Sequence, residues 1–398
     1  MSIGVLQTVP PFGSIDPMEA LGPLESLESL VREAKEGLSF DRTISRRLVH
    51  RASVTEVFLT DSVVAGADRF LVGAQLPRNH ALYRPEESGR CDFMLLVETV
   101  RQAGIFLSHR YHDVPLGHHF IFKALSLHIV DPAALRVGSG PLAVALDVKV
   151  VTPAGTRTSR RFDARFDMVI EVGGRECARA SAGVVVIDGV RYGRLRQRGR
   201  VAEATAAGRP EAAAGSRPEA AAGGRPGADR RTGPSGQKGQ GDQTGQIGQG
   251  GQGGQVGQVG QGGCSEVRFG KQAGRDRAGT RSGAGSRDVL RPGPDSGPTA
   301  RPDGTGEWRL HVDPTHPGYF EHPSDHVPGM LLLESFRQAA ELVTGEGGVL
   351  SSMEAEFAVF GELAEPVKVH AARTEGGRIR LSATQRGRLL ATAGARCA

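Results

Sequence analysis

Residues His322 to Ala340 read HPSDHVPGMLLLESFRQAA, and the rest of the chain is organised around them. A polar, turn-forming start carries two histidines and an aspartate, and Pro328-Gly329 then opens an apolar run. Proline suits the first turn of a helix, so the run predicts a helix from about Pro328 to Thr344. Glu334, Arg337 and Gln338 are spaced i, i+3, i+4 and share one face of it. Leu331, Leu332, Leu333, Phe336, Ala339 and Ala340 make the surrounding surface core-like. A carboxylate there is costly unless it has a partner or a chemical task.

The same stretch occurs earlier. Leu95 to Gly104 read LLVETVRQAG, so Glu98, Arg101 and Gln102 repeat Glu334, Arg337 and Gln338. A unit repeated at this distance predicts two copies of one domain. In the first copy, Val54–Thr60 and Asp68–Leu76 read as strands, and Asp92 to about His109 as the long helix. Strand patterns follow at 119–130, 142–152, 158–172 and 176–188, with Pro153-Ala154-Gly155 and Gly173-Gly174 as turns. One long helix followed by antiparallel strands is an α+β pattern. In the second copy, strands are expected at 308–312, 353–360, 367–373, 378–385 and 388–393. That half is shorter and would leave open edges alone, so pairing with the first half is expected.

A histidine-bearing loop followed by Pro-Gly-x4-Glu on an apolar helix resembles the hot-dog fold of fatty-acid dehydratases and acyl thioesterases. The fuller pattern, Phe320 to Met330 followed by Glu-x2-Arg-Gln, is similar to the A-factor synthase family of actinobacteria. So are Val57 to Thr60, Pro77-Arg78-Asn79-His80, Glu98 to Gln102 and Val114-Pro115-Leu116-Gly117. The resemblance implies two tandem hot-dog domains, each an antiparallel sheet wrapped on a central helix, closing as an intramolecular pseudo-dimer. It further implies an acyltransferase that moves a β-ketoacyl group from acyl carrier protein to the hydroxyl of dihydroxyacetone phosphate. Two other readings stay open: a hot-dog thioesterase or 3-hydroxyacyl dehydratase, and a non-catalytic acyl-ligand-binding regulator.

Four segments are expected: an N-terminal extension or docking helix (1–40), a first hot-dog domain (41–192), a disordered linker (193–287) and a second hot-dog domain (288–398). The linker reading rests on two near-copies of RPEAAAG and a Gly/Gln tract, where too few apolar residues remain to offset ordering entropy. Arginine and glycine recur there, but aromatic residues for base stacking are scarce, which argues against an RNA-binding tail. Among 398 residues the formal net charge is +5, too mild to indicate nucleic acid. Cys91, Cys177, Cys264 and Cys397 have no CxxC spacing, so neither a zinc site nor a disulfide framework is expected. No apolar run reaches the ~20 residues of a membrane span, and no secretion signal is visible. These features predict a cytoplasmic protein without a cofactor, acting as a monomeric pseudo-dimer or a homodimer.

For the chemistry, a helix carboxylate in an apolar pocket has a raised pKa and can serve as a base. Glu334 and Glu98 are the candidates, and loss of Glu334 is expected to abolish transfer with the fold intact. The alternative is that each glutamate pairs with the arginine three residues on and tethers its helix. His326 or His322 would shuttle the proton, and the helix start at Gly329 offers N–H groups to an oxyanion. The alternative there is a capping Asp325 with merely hydrogen-bonded histidines. His80 would partner Glu98 if the Tyr83–Arg90 loop folds it back. For a substrate phosphate, Arg78, Arg101 and Arg337 are best placed, and Gln102, Gln338 and Asp325 complete the substrate-binding candidates. His109, His112, His118 and His119 cluster, but without flanking carboxylates at metal-ligand spacing.

Overall fold

A computed structural model describes residues 25–86, 88–158, 160–207, 288–292, 300–301, 303–321, 323–345 and 348–398. Candidate His322, Cys264 and nearly all of the expected linker lie outside these.

Helix α1 (Glu25–Glu36) docks as the sequence suggests, with Val31 and Leu38 buried against Leu71. Lys35 fixes it through Glu171 (2.7 Å) and Asp147 (3.4 Å). The first half then runs β1 (Leu59–Gly66), β2 (Arg69–Leu76), α2 (Phe93–Tyr111), β3 (His119–Ile129), β4 (Leu142–Val151), β5 (Arg161–Val172) and β6 (Arg175–Ile187). Helix α3 (Gly189–Ala207) follows, running past residue 192 into the stretch read as linker. The second half is β7 (Leu290–Pro292), β8 (Thr305–Leu310), α4 (Gly329–Thr344), β9 (Leu350–Phe357), β10 (Val367–Arg373), β11 (Arg378–Gln385) and β12 (Arg388–Cys397).

These strands form a single antiparallel sheet in the order β1-β2-β4-β5-β6-β3-β9-β12-β11-β10-β8-β7. The order reads as the same six-strand pattern from both ends, the signature of two hot-dog halves joined at β3 and β9. There Ala124 opposes Glu356, Leu125 opposes Ala355 and Ser126 opposes Glu354. Alternation follows the pleat: β5 buries Phe162, Ala164, Phe166, Met168 and Ile170 and turns the intervening residues outward. The inward sets of both halves and the two long helices make one continuous apolar core. A fully buried side chain such as Phe336 contributes about 1.5–3 kcal/mol to this.

Strand β7 is not expected from the sequence, and the first strand lies later than expected. Val54–Glu56 is a 3-10 turn, with Ser53 accepting from Thr55 N (3.3 Å), and the strand begins at Leu59. Val54 has no core to enter, being 61% exposed, while polar Asp61 and Ser62 hide the real strand from a hydrophobic pattern. At the far end, Gly306 is required because Trp308 folds over it: an added Cβ would lie 2.1 Å from the indole.

Candidate active site

The two helix glutamates are among the most buried charges of the described residues, and both are held. Glu98, with no exposed surface, accepts from Arg101 Nε (2.7 Å) and Nη2 (2.9 Å), Arg51 Nε (3.0 Å) and Gln102 Nε2 (2.8 Å). Arg51 in turn donates to Glu321, which ties the first half to a loop of the second. Burial raises the Glu98 carboxyl, but the two guanidiniums overcome it and hold the group down at about 2. The expected raised pKa is therefore reversed, since charge pairing outweighs desolvation here. Glu334 repeats the arrangement, accepting from Arg337 Nε (2.9 Å) and Nη2 (2.6 Å) and from Gln338 Nε2 (2.7 Å), while Arg337 also donates to Glu341 (2.6 Å).

The glutamines are clamps, a use of those side chains other than substrate binding. Gln102 accepts from Phe58 N (3.0 Å) and donates to Glu56 O (2.7 Å). Gln338 accepts from Val289 N (3.1 Å) and Leu290 N (3.3 Å). Each satisfies backbone groups where the chain enters its first strand. His80 does not reach Glu98. Its Nδ1 accepts from Leu82 N (3.1 Å) and Tyr83 N (3.2 Å), and its Nε2 faces Glu56 (3.1 Å). His316 repeats this turn, accepting from Gly318 N (3.1 Å) and Tyr319 N (3.3 Å). The counterpart of His80 is thus His316, from a His-x2-Tyr repeat that weak flanking similarity conceals. Arg78 is exposed and donates to Ser139 O (2.6 Å).

The helix N-termini differ. In α2, Asp92 caps, accepting from Met94 N (2.7 Å) and Leu95 N (3.3 Å). In α4 the cap position is Pro328, which supplies no side-chain acceptor. Gly329 and Met330 instead line a cavity of about 260 Å³ between the halves. Arg51, Arg101, His118 and His119 of the first half face it, with Glu321 and His326 of the second. Neither Glu98 nor Glu334 is among its lining residues; Arg51 and Arg101, which hold Glu98, are. A second, more apolar cavity of about 390 Å³ shares His326, Gly329, Phe120, Phe122, Phe357 and Phe360 with the first.

His326 stands where the two cavities join. Its Nδ1 lies 2.8 Å from Asp325 Oδ1, which places the ring proton there and leaves Nε2 as the basic nitrogen. Asp325 does not cap the helix. It also accepts from Tyr192 Oη (2.6 Å) and Arg196 Nε (3.0 Å), while Arg196 Nη2 donates to Asp325 O (2.7 Å) and Glu362 (3.0 Å). Tyr192 stacks on His119 at 3.9 Å. Burial lowers the His326 pKa, and Asp325 offsets this in part. The Asp325 carboxyl is held well below its usual range: burial opposes this, and bonds from His326, Tyr192 and Arg196 outweigh it. Tyr192 and Arg196 both sit on α3, and like Arg51 they carry no sequence motif, whereas Glu321 lies within the Phe320–Met330 pattern with no role expected of it there. Among the described residues no His/Cys/Asp/Glu group could hold a metal ion.

Two six-stranded halves joined at β3 and β9 into one continuous sheet, each with its long helix, define a tandem hot-dog protein, and His326 stands with the uncapped helix start at its internal seam. The chain belongs to the A-factor biosynthesis hotdog domain family (AfsA), whose model matches residues 33–188 and 297–398. It is 30% identical over 330 residues to the 2-oxo-3-(phosphooxy)propyl 3-oxoalkanoate synthase of Streptomyces virginiae, covering 83% of this chain and 87% of that one. The synthase of the same name from Streptomyces coelicolor is 27% identical over 349 residues, 86% and 87% of the two chains. Among solved structures, the 12:0-ACP thioesterase of Umbellularia californica covers 82% of this chain and 97% of its own at 9% identity and a TM-score of 0.39.

Proposed function

We propose that the protein is an acyltransferase that esterifies the hydroxyl of dihydroxyacetone phosphate with a β-ketoacyl group delivered as a thioester on acyl carrier protein, the first step of γ-butyrolactone signal synthesis. The observation that carries this reading is the placement of the Asp325–His326 pair where two cavities, the second the more apolar, share a lining. The kinship with synthases of that product supports this choice of substrates. The acyl chain lies in the apolar cavity, between Leu332, Phe357 and Phe360. Lys123, Arg198 and Arg388 also line that cavity and suit an acidic carrier. A cytoplasmic setting fits the free Cys91, Cys177 and Cys397.

His326 Nε2 takes the proton of the acceptor hydroxyl as its oxygen attacks the thioester carbonyl. The N–H groups of Gly329 and Met330 receive the oxyanion at the positive end of α4. Collapse breaks the carbon–sulfur bond, and His326 returns the proton to the departing thiolate. Direct transfer needs no covalent enzyme intermediate, and the buried Cys91, its thiol pushed up mainly by burial, is unsuited to be a nucleophile. Glu98 and Glu334 act by fixing the helices. The test is incubation of pure protein with the β-ketoacyl carrier and dihydroxyacetone phosphate, followed by mass analysis for the phosphorylated ester. Release of free β-keto acid at a rate indifferent to dihydroxyacetone phosphate would instead identify a thioesterase.

A further inference from the structure

The smaller cavity, the less apolar of the two, is the polar one only by comparison, and its hydrogen-bonding capacity is unevenly used. Arg51 commits all three nitrogens, to Glu98 and Glu321. Arg101 commits Nε and Nη2 to Glu98, leaving Nη1 with no acceptor among the described residues while the side chain lines the cavity. His118, from the same half and also lining this cavity, has a buried Nε2 that bonds no group among the described residues. A buried polar atom left this way is costly unless a ligand satisfies it. Of the three arginines that sequence motifs favour for a phosphate, only Arg101 reaches the cavity. Arg78 lies on the surface against Ser139, and Arg337 is engaged by Glu334 and Glu341.

Resting on the acyltransferase reading, we infer that Arg101 Nη1 and His118 Nε2 bind the phosphate of the acceptor, a small phosphorylated hydroxy ketone, in the polar cavity. Arg101 Nη1 is an N–H donor, and His118 Nε2 becomes one in the tautomer that carries its proton there, which a phosphate with its three acceptor oxygens favours. The residues bearing these donors belong to the first half, whereas His326 and the uncapped helix start belong to the second. A phosphate anchored on them directs the hydroxyl at the far end of a three-carbon acceptor toward His326. The acyl chain is left to the apolar cavity. Donor and acceptor thereby approach the junction from opposite sides, and water is displaced from the polar side when the acceptor is bound.

The phosphate could in principle be that of the carrier's pantetheine arm, and the kinetic split separates the two sources. In steady-state assays with the β-ketoacyl carrier and dihydroxyacetone phosphate, His118→Ala raises the acceptor KM about tenfold, the scale of one lost charge-assisted hydrogen bond. The carrier KM stays within about twofold, and His118→Gln, which keeps an N–H donor, recovers most of the loss. His118→Ala carries the test because Arg101→Gln also strips Glu98 of a partner. An unchanged acceptor KM, or a rise confined to the carrier KM, overturns the assignment. If the wild type forms no ester, the reaction reading falls, and calorimetry with dihydroxyacetone phosphate and unphosphorylated dihydroxyacetone still decides the site. Binding of the phosphorylated compound alone, abolished in His118→Ala, upholds it; equal binding of both, or of neither, removes it.

Discussion

A carboxylate on an apolar helix face invites a catalytic reading, but its electrostatic partners decide its protonation. Glu98 lies low, at about 2 against an ordinary 4.5, so the folded state prefers the ionised form. The resulting stabilisation, about 3 kcal/mol, is complete above about pH 4.5 and drains away as pH falls toward 2. Glu98→Gln leaves Arg51 and Arg101 under-compensated inside the fold and should cost about 3 kcal/mol in urea unfolding at pH 7. An unchanged urea midpoint with a hundredfold slower transfer would return Glu98 to the chemistry. His326→Ala, by contrast, should fold normally and lower kcat by about 10²–10⁴. The base must be neutral, so activity should fall as pH drops through the His326 pKa, itself below the usual histidine value because of burial. Asp325→Asn removes a group that raises that pKa, so the acid limb of the kcat profile should move to lower pH as the rate falls. A limb that stays fixed in His326→Gln and Asp325→Asn alike would assign it to another group.

Among the elements, the two long helices are near-copies in sequence yet differ at their first turns. Asp92 fills the donors of α2, whereas Pro328 leaves those of α4 facing the cavity. Helix α3 has the larger bearing on the site. Its Arg196, almost wholly buried, reaches from the first half to Asp325 and Glu362 of the second. Arg196→Ala should therefore lower kcat about tenfold with smaller changes in either KM, and Arg196→Lys should restore little, because one ammonium cannot replace a fork. Equal stability losses without a kcat change would make α3 a purely structural brace. The periodicity of α2 and α4 was legible because apolar residues recur at helical spacing. Helix α3 was not, because its Gly- and Arg-rich composition merges with the segment that follows. What holds Tyr192 and Arg196 is a pair of carboxylates more than a hundred residues away.

At the level of the whole molecule, β3 and β9 make the two halves one sheet, and the proposed site draws on both. Arg101 and His118 come from one half, His326 and Gly329 from the other. Expressed separately, the two halves should each be inactive, with β3 and β9 exposed as unpaired edges, and mixing them should restore transfer. Turnover by either half alone would contradict a seam-located site. The amino-acid sequence by itself determined the duplication, the central helices, the α+β strand content and the buried Glu-Arg-Gln faces, because these follow from local periodicity and composition. Only the tertiary structure decided that both glutamates are held as ion pairs, Glu334 by Arg337 and Glu98 by Arg101 together with the distant Arg51. It also decided that α3 closes on Asp325 and that the groups proposed to work gather at one helix start. Those outcomes depend on charges and hydrogen-bond partners brought together from distant positions, which no local pattern encodes.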